Sequence, residues 1–79
     1  MKKIAVYGSG CRKCKKLLEH VEEAIRGKED LFSVEYISDI DRIVAAGILV
    51  TPALVIDGEK AVSGQVVSVK TVKTLLGLS

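Results

Sequence analysis

A Cys-x-x-Cys pair, formed by Cys11 and Cys14, is the feature that most constrains the fold of this chain. A short apolar run over residues 3–7 precedes it and ends in the glycine-rich residues 8–10, which is typical of a buried strand followed by a tight turn. After the first cysteine, apolar residues recur at helical spacing with charged residues between them. The sequence therefore predicts a strand over 3–7, a helix over 11–26 and a dithiol at the start of that helix.

The rest of the chain predicts three further strands and two further helices. Residues 32–37 alternate and are rich in β-formers, and Asp57-Gly58 between two apolar runs indicates a hairpin. Ser38 is expected to cap a short second helix, with Asp41 completing a capping box, and Ser68 is expected to cap the last helix. The expected elements are strands at 32–37, 53–56 and 60–63, a helix at 39–46 and a final helix from residue 69.

The order of these elements, β-α-β-α-β-β-α, predicts an α/β fold with a four-stranded mixed sheet flanked by three helices. The connections among the first three strands are long enough for parallel crossovers, whereas the hairpin makes the last two strands antiparallel. A chain of 79 residues has room for one core, so a single domain over 1–79 is expected. Because only 4% of the residues are aromatic, that core must consist mainly of Val, Ile and Leu.

Charge and apolar patterning exclude several classes of partner. A formal charge of +2, without aromatic residues interleaved among the basic ones, argues against nucleic acid. No apolar run approaches the roughly 18 residues of a membrane helix, so no membrane contact is expected. Two cysteines are too few to staple a secreted mini-protein, and in a reducing compartment such a pair usually performs chemistry. A cytoplasmic, monomeric protein is expected.

The position of the pair at a helix start predicts different roles for the two thiols. Cys11 would face unpaired backbone N–H groups and the positive end of the helix dipole, both of which favour thiolate over thiol. Cys14 lies one turn later and faces inward, where it can attack a mixed disulfide formed on Cys11. Cys11 is therefore the predicted nucleophile and Cys14 the resolving thiol. The cations of the same turn are expected to stabilise the thiolate further; they include Arg12, Lys13 and Lys15.

Several segments together resemble the thioredoxin and glutaredoxin fold over nearly the whole chain. In particular, the chain resembles the short microbial thioredoxin-like proteins called redox-active disulfide protein 2. The resemblance implies that Cys11 and Cys14 are the redox pair. It also implies that a cis peptide bond precedes Pro52 and that Thr51 offers backbone groups to a substrate peptide. The resemblance is carried by the first strand, the sequence Gly-Ser-Gly-Cys-Arg-Lys-Cys over 8–14, Thr51-Pro52 before the third strand, the Asp57-Gly58 hairpin and the last helix.

The same resemblance implies partners and also shows departures from the family's pattern. Protein disulfides would be the substrates, and a flavin-dependent disulfide reductase would be the electron donor, since the chain has no room for a nucleotide-binding domain. No bound cofactor is expected. Arg12-Lys13 stands between the cysteines where thioredoxins have Gly-Pro, and the first strand lacks the buried Asp that thioredoxins place beneath the pair. The proton of Cys14 would then leave through water or lysine side chains.

Two other functions could use the same pair. A soft-metal carrier would bind copper or zinc through the two cysteines, although such domains run β-α-β-β-α-β and usually have Met where this chain has Ser9. A structural metal site would need further ligands. His20, the one histidine of the chain, is expected to face solvent on the opposite side of the helix, so no metal site is expected. A redox sensor without turnover is the second alternative.

Overall fold

The computed structural model describes residues 2–78. Within this range, the order of strands and helices is the one that the sequence predicts. No described helix has the length and apolar character that a membrane crossing requires. A 3₁₀ turn over Glu29–Leu31 leads into the second strand. The strands are β1 (Lys2–Tyr7), β2 (Phe32–Ile37), β3 (Ala53–Ile56) and β4 (Glu59–Ser63), and the helices are α1 (Arg12–Ala24), α2 (Ile40–Ala45) and α3 (Val69–Leu75).

The four strands form one mixed sheet in the order β2-β1-β3-β4. β1 is parallel to β2 and antiparallel to β3, and β3 is antiparallel to β4. A parallel pair needs a crossover connection, which α1 supplies between β1 and β2. The predicted fold class, a four-stranded mixed sheet with three helices, is confirmed. This order differs from the β-α-β-β-α-β order of the metal-carrier domains, so their fold is excluded.

Strand alternation sends side chains to two cores on opposite faces of the sheet. The larger core joins α1 and α3 to the sheet through residues such as Leu17 and Val72, both fully buried. The smaller core joins α2 to the other face through Ile43. Along β2, Tyr36 packs against the larger core and its neighbour Ile37 lies in the smaller one. Tyr36 and α1 are therefore on the same face of the sheet.

The hairpin between β3 and β4 turns at Asp57 and Gly58. Both residues have positive φ, 50° and 85°, as a type I′ turn requires. Asp57 also anchors the turn to β1. Its N–H donates to the carbonyl of Lys3 over 2.8 Å, and its carboxylate accepts from the N–H of Lys3 over 2.8 Å. The hairpin thus holds β3 against the central strand and positions the segment that precedes β3.

The starts of two helices differ from the predicted ones. Asp39 rather than Ser38 caps α2, because the Asp39 carboxylate accepts a hydrogen bond from the N–H of Asp41 over 2.9 Å. The predicted capping box is therefore wrong. Helix α1 begins one residue later than predicted, since Cys11 is its cap and not its first helical residue. Ser68 caps α3 as predicted.

Candidate functional site

The two cysteines meet at the first turn of α1. Cys11 is the N-cap residue with extended backbone, and its sulfur accepts a hydrogen bond from the N–H of Cys14 over 3.4 Å. The two Sγ atoms lie 2.7 Å apart, so a small movement brings them to the ~2.05 Å of a disulfide bond. Cys11 is exposed and Cys14 is fully buried. The pair therefore presents one sulfur to solvent and keeps the other behind it.

Hydrogen bonds from this turn favour the thiolate of Cys11. The thiol of Cys14 contributes most and its backbone N–H next, and they lower the pKa of Cys11 below its ordinary value. Desolvation acts in the opposite direction, and the backbone of Lys13 adds a smaller lowering. These donors belong to the helix start, where backbone N–H groups have no partner within the helix. The lowered pKa increases the share of nucleophilic thiolate at neutral pH.

The basic side chains beside the pair are all exposed. None of them is among the causes of the lowered pKa of Cys11, which are hydrogen bonds and desolvation. Solvent and salt screen charges at such positions. Stabilisation of the thiolate by Arg12, Lys13 and Lys15 stays a prediction, although their exposure suits contact with an anionic surface. A groove of about 490 Å³ runs along them, lined by Arg12, Lys13, Lys15, Lys16, Glu19 and Val66.

Gly8 brings the chain after β1 into contact with the buried cysteine. A Cβ atom at Gly8 would lie 2.5 Å from Cβ of Cys14 and 2.7 Å from its Sγ. Both distances are too short for a normal contact, so glycine is what allows the backbone to approach the sulfur this closely. The N–H of Gly8 also donates to the carbonyl of Ile37 over 3.0 Å, which extends the pairing of β1 with β2. The first turn of α1 is thus held against the sheet at Cys14.

Tyr36 reaches the same place from β2, although no sequence pattern marks it as a site residue. Its hydroxyl accepts a hydrogen bond from the N–H of Gly10 over 2.9 Å. Burial raises the pKa of Tyr36, the hydrogen bond from Gly10 opposes this, and the charges of Cys14 and Cys11 raise it further. Strand alternation could place Tyr36 on the face that carries α1. It could not show that the hydroxyl extends to the loop before Cys11.

Thr51 and Pro52 stand at the same end of the sheet as the dithiol. The peptide bond between them is cis, as the resemblance implies. Pro52 directly precedes Ala53, which pairs with Tyr7 at the end of β1, and the chain continues from Tyr7 into the loop before Cys11. Thr51 is half-buried, and its N–H and carbonyl make no hydrogen bond to other residues in the range 2–78. The backbone at Thr51 can therefore pair with an incoming strand.

Two exposed apolar residues directly precede Thr51, and no sequence pattern marks them as site residues either. Leu49 is 94% exposed and Val50 is 53% exposed. These two side chains are therefore available for apolar contact with a chain bound at Thr51. Their apolar character is visible in the sequence, but their neighbour Ile48 is buried, and composition does not separate the three.

His20 is less exposed than the sequence predicts. The side chain is half-buried, and its Nδ1 atom lies 2.7 Å from the carbonyl of Val67, just before α3. Helical periodicity marks this face of α1 as open, but the packing of α3 on α1 partly covers it. In the part of the chain that the structure describes, no three His, Cys, Asp or Glu side chains come together to hold a metal ion. The dithiol itself offers two sulfur ligands.

Gly8→Ala is expected to lower the free energy of unfolding by about 1–3 kcal/mol, because the added methyl group must displace Cys14 or the end of β1. Urea denaturation of the reduced protein measures this effect. Ser9→Ala is the matched control: Ser9 is exposed, and this change is expected to stay within about 0.5 kcal/mol of the parent. Equal stability of the two variants would mean that α1 moves away from the sheet at no cost.

Cys14→Ala is expected to raise the pKa of Cys11, because it removes the thiol that contributes most to the lowering. The thiolate fraction of Cys11 then falls at neutral pH, so alkylation by iodoacetamide slows severalfold there and recovers at alkaline pH. Cys14→Ser keeps a hydroxyl donor and should lie between the parent and Cys14→Ala. The measurement is the alkylation rate of Cys11 against pH, and identical profiles for the two variants would contradict the assignment.

Comparisons with known proteins agree with this arrangement of fold and dithiol. A family model described as a thioredoxin domain matches residues 2–77. A curated thioredoxin from Methanothermobacter thermautotrophicus is 36% identical over 76 residues, which cover 96% of this chain and 99% of that protein. A match of this extent supports thiol–disulfide oxidoreductase activity in general. The chain therefore belongs to the thioredoxin domain family and is a thioredoxin-like redox protein.

Proposed function

We propose that this chain catalyses thiol–disulfide exchange with protein disulfides through Cys11 and Cys14. The observation that carries the proposal is the asymmetry of the pair. Its two sulfurs are 2.7 Å apart, and one is exposed while the other is fully buried. Attack on a substrate needs an accessible thiolate, and release of the product needs a second thiol within bonding reach. Cys11 and Cys14 meet these two requirements separately.

The proposed cycle transfers two electrons to the substrate in two exchange steps. The Cys11 thiolate attacks one sulfur of a substrate disulfide, and the other substrate sulfur leaves as a thiolate that takes a proton from solvent. Cys14 loses its proton and attacks Sγ of Cys11, so that the intramolecular disulfide forms and the mixed disulfide breaks. The substrate departs with two thiols. A flavin-dependent disulfide reductase then returns two electrons to the protein, which needs no bound cofactor.

Substrate contact would come from three neighbouring surfaces. The backbone of Thr51, beside Pro52, would pair with an extended substrate segment, which gives affinity without strong sequence preference. Leu49 adds an exposed apolar contact next to that segment. The cations of α1 favour acidic residues near the substrate disulfide. They are Arg12, Lys13 and Lys15, all exposed.

The proposed unit of function is a single domain over 1–79. Its two cores share one sheet, and the family match spans nearly the whole chain. We propose that it acts as a monomer in the cytoplasm, where disulfide reductases keep such pairs reduced. A reductase would dock on the same surface as a substrate and would reach the exposed sulfur of Cys11 there.

Cys11→Ser and Cys14→Ser are expected to fail at different steps. With insulin as the protein disulfide, Cys11→Ser should reduce it no faster than the buffer does, because the attacking thiolate is gone. Mixed with insulin without added reductant, Cys14→Ser should instead accumulate a stable mixed disulfide on Cys11, because no second thiol resolves it. Turnover is followed by insulin precipitation, and the trapped adduct by mass under non-reducing conditions.

The double variant lacking both thiols is the control for this experiment, since it should show neither turnover nor adduct. The parent protein should accumulate little adduct because Cys14 resolves it. Full turnover by Cys11→Ser, or trapping on Cys14 in place of Cys11, would contradict the proposed roles.

A redox titration of the metal-free protein in dithiothreitol buffers distinguishes the proposed function from its alternatives. Free thiols are counted by alkylation and mass at each potential. A reversible two-electron transition between roughly −300 and −180 mV is expected, the range of catalytic dithiols. A pair that never closes to a disulfide would favour the soft-metal carrier. A disulfide that closes without turnover by a reductase would favour the redox sensor.

A further inference from the structure

The buried position of Cys14 poses an electrostatic problem that the proposed cycle leaves open. Cys14 must attack as a thiolate, yet its side chain is fully buried and has no contact with solvent. Over the described residues 2–78, no charged or polar side chain is fully buried. The residues of β1 that enter the larger core are Ile4 and Val6, which have no polar atoms in their side chains. A polar side chain that stabilises this thiolate must therefore be only partly buried.

Tyr36 is such a group. It is half-buried, packs against the same core as α1, and brings a hydroxyl to the loop between β1 and α1. A Cβ atom at Gly8 would lie 2.7 Å from Sγ of Cys14 and 2.9 Å from the hydroxyl oxygen of Tyr36. The sulfur and the hydroxyl therefore converge on one point, which is open because residue 8 is glycine.

The hydrogen bond from Gly10 leaves the Tyr36 hydroxyl free to act as a hydrogen-bond donor. The oxygen accepts from the N–H of Gly10, so its own proton remains available for donation. Burial raises the pKa of Tyr36, which keeps the phenol protonated at neutral pH. Within the described part of the chain, Cys11 and Tyr36 are the titratable groups that interact with Cys14, and the cations of the same turn are exposed.

We propose that the Tyr36 hydroxyl donates a hydrogen bond to the Cys14 thiolate and thereby stabilises the form of Cys14 that resolves the mixed disulfide. This inference rests on the proposed function, because it concerns the second step of that cycle. The phenol keeps its proton throughout and does not act as a base. The proton of Cys14 passes to solvent, the new bond joins Sγ of Cys14 to Sγ of Cys11, and the electron pair of the broken bond leaves with the substrate thiolate.

Tyr36→Phe removes the hydroxyl and leaves the packing of the ring. Stopped-flow mixing of the reduced protein with a nitrobenzoate disulfide separates the two steps, because each releases one coloured thiolate. The first release reports attack by Cys11, and the second reports resolution by Cys14. Both rates are measured against pH for the parent, Tyr36→Phe and Tyr7→Phe. Tyr7 is the matched control, since it is also half-buried but packs against the core on the other face of the sheet.

The pH dependence of the second release rate should change in a way that loosened packing would not produce. Loss of the hydrogen bond is expected to reduce the Cys14 thiolate fraction about tenfold near neutral pH. The remaining thiolate is more basic and therefore more nucleophilic, which raises its rate of attack about threefold. Resolution should therefore slow about threefold at neutral pH, its profile should shift to higher pH, and the two profiles should cross at alkaline pH. The first release should keep its rate, and Tyr7→Phe should match the parent in both steps.

The possible failures have different signatures. If both thiolates are released but the second rate has the same pH profile in Tyr36→Phe as in the parent, the inference is overturned and the proposed function stands. If the second rate falls equally at every pH, together with the first, Tyr36 only holds the loop at Gly10 in place and the inference is again overturned. Absence of a second release from the parent protein would instead refute the proposed cycle.

Discussion

The close approach of Gly8 to Cys14 is the contact on which the rest of the site depends. It sets the distance between the end of β1 and the first turn of α1, because any side chain at residue 8 would collide with the cysteine. With the turn held there, Cys11 becomes the cap of α1, and its sulfur meets the N–H groups of the helix start. The lowered pKa of Cys11 follows from those hydrogen bonds. Glycine at the end of β1 thus permits the packing in which Cys11 meets its hydrogen-bond donors.

The site combines a local part with a part that the sheet supplies. The spacing of Cys11 and Cys14 is a property of one helical turn and places one sulfur outside and the other inside. Tyr36 lies 26 positions from the Gly10 N–H that it accepts, and it reaches the loop because β2 is parallel to β1 and in register with it. The register also brings Thr51 to this end of the sheet through the pairing of β3 with β1. The geometry of α1 fixes the two thiols relative to each other, and strand pairing brings Tyr36 and Thr51 to the same end of the sheet.

The sequence predicts the parts of this molecule that depend on short-range patterns. The order of elements, the Asp57-Gly58 turn and the dithiol at a helix start all follow from periodicity and turn chemistry, and the structure agrees. The sequence predicts the wrong cap for α2 because Ser38 and Asp39 are both good caps, and the choice between them depends on backbone geometry. The surroundings of His20 depend on the position of α3, and the reach of the Tyr36 hydroxyl depends on strand register. Neither is visible in a single segment of sequence.

The small size of the core explains why the site uses partly buried groups. A short chain whose described part buries no polar side chain fully has no interior carboxylate to accept the proton of a buried thiol, and placing one there would cost several kcal/mol unless it were paired. A tyrosine avoids this cost, because its ring adds apolar surface to the core while its hydroxyl remains near the loop. The residue at position 36 of β2 can therefore change the stability of the Cys14 thiolate without any change in the Cys-x-x-Cys motif. The redox behaviour of such a chain therefore depends on strand β2 as well as on the residues between the cysteines.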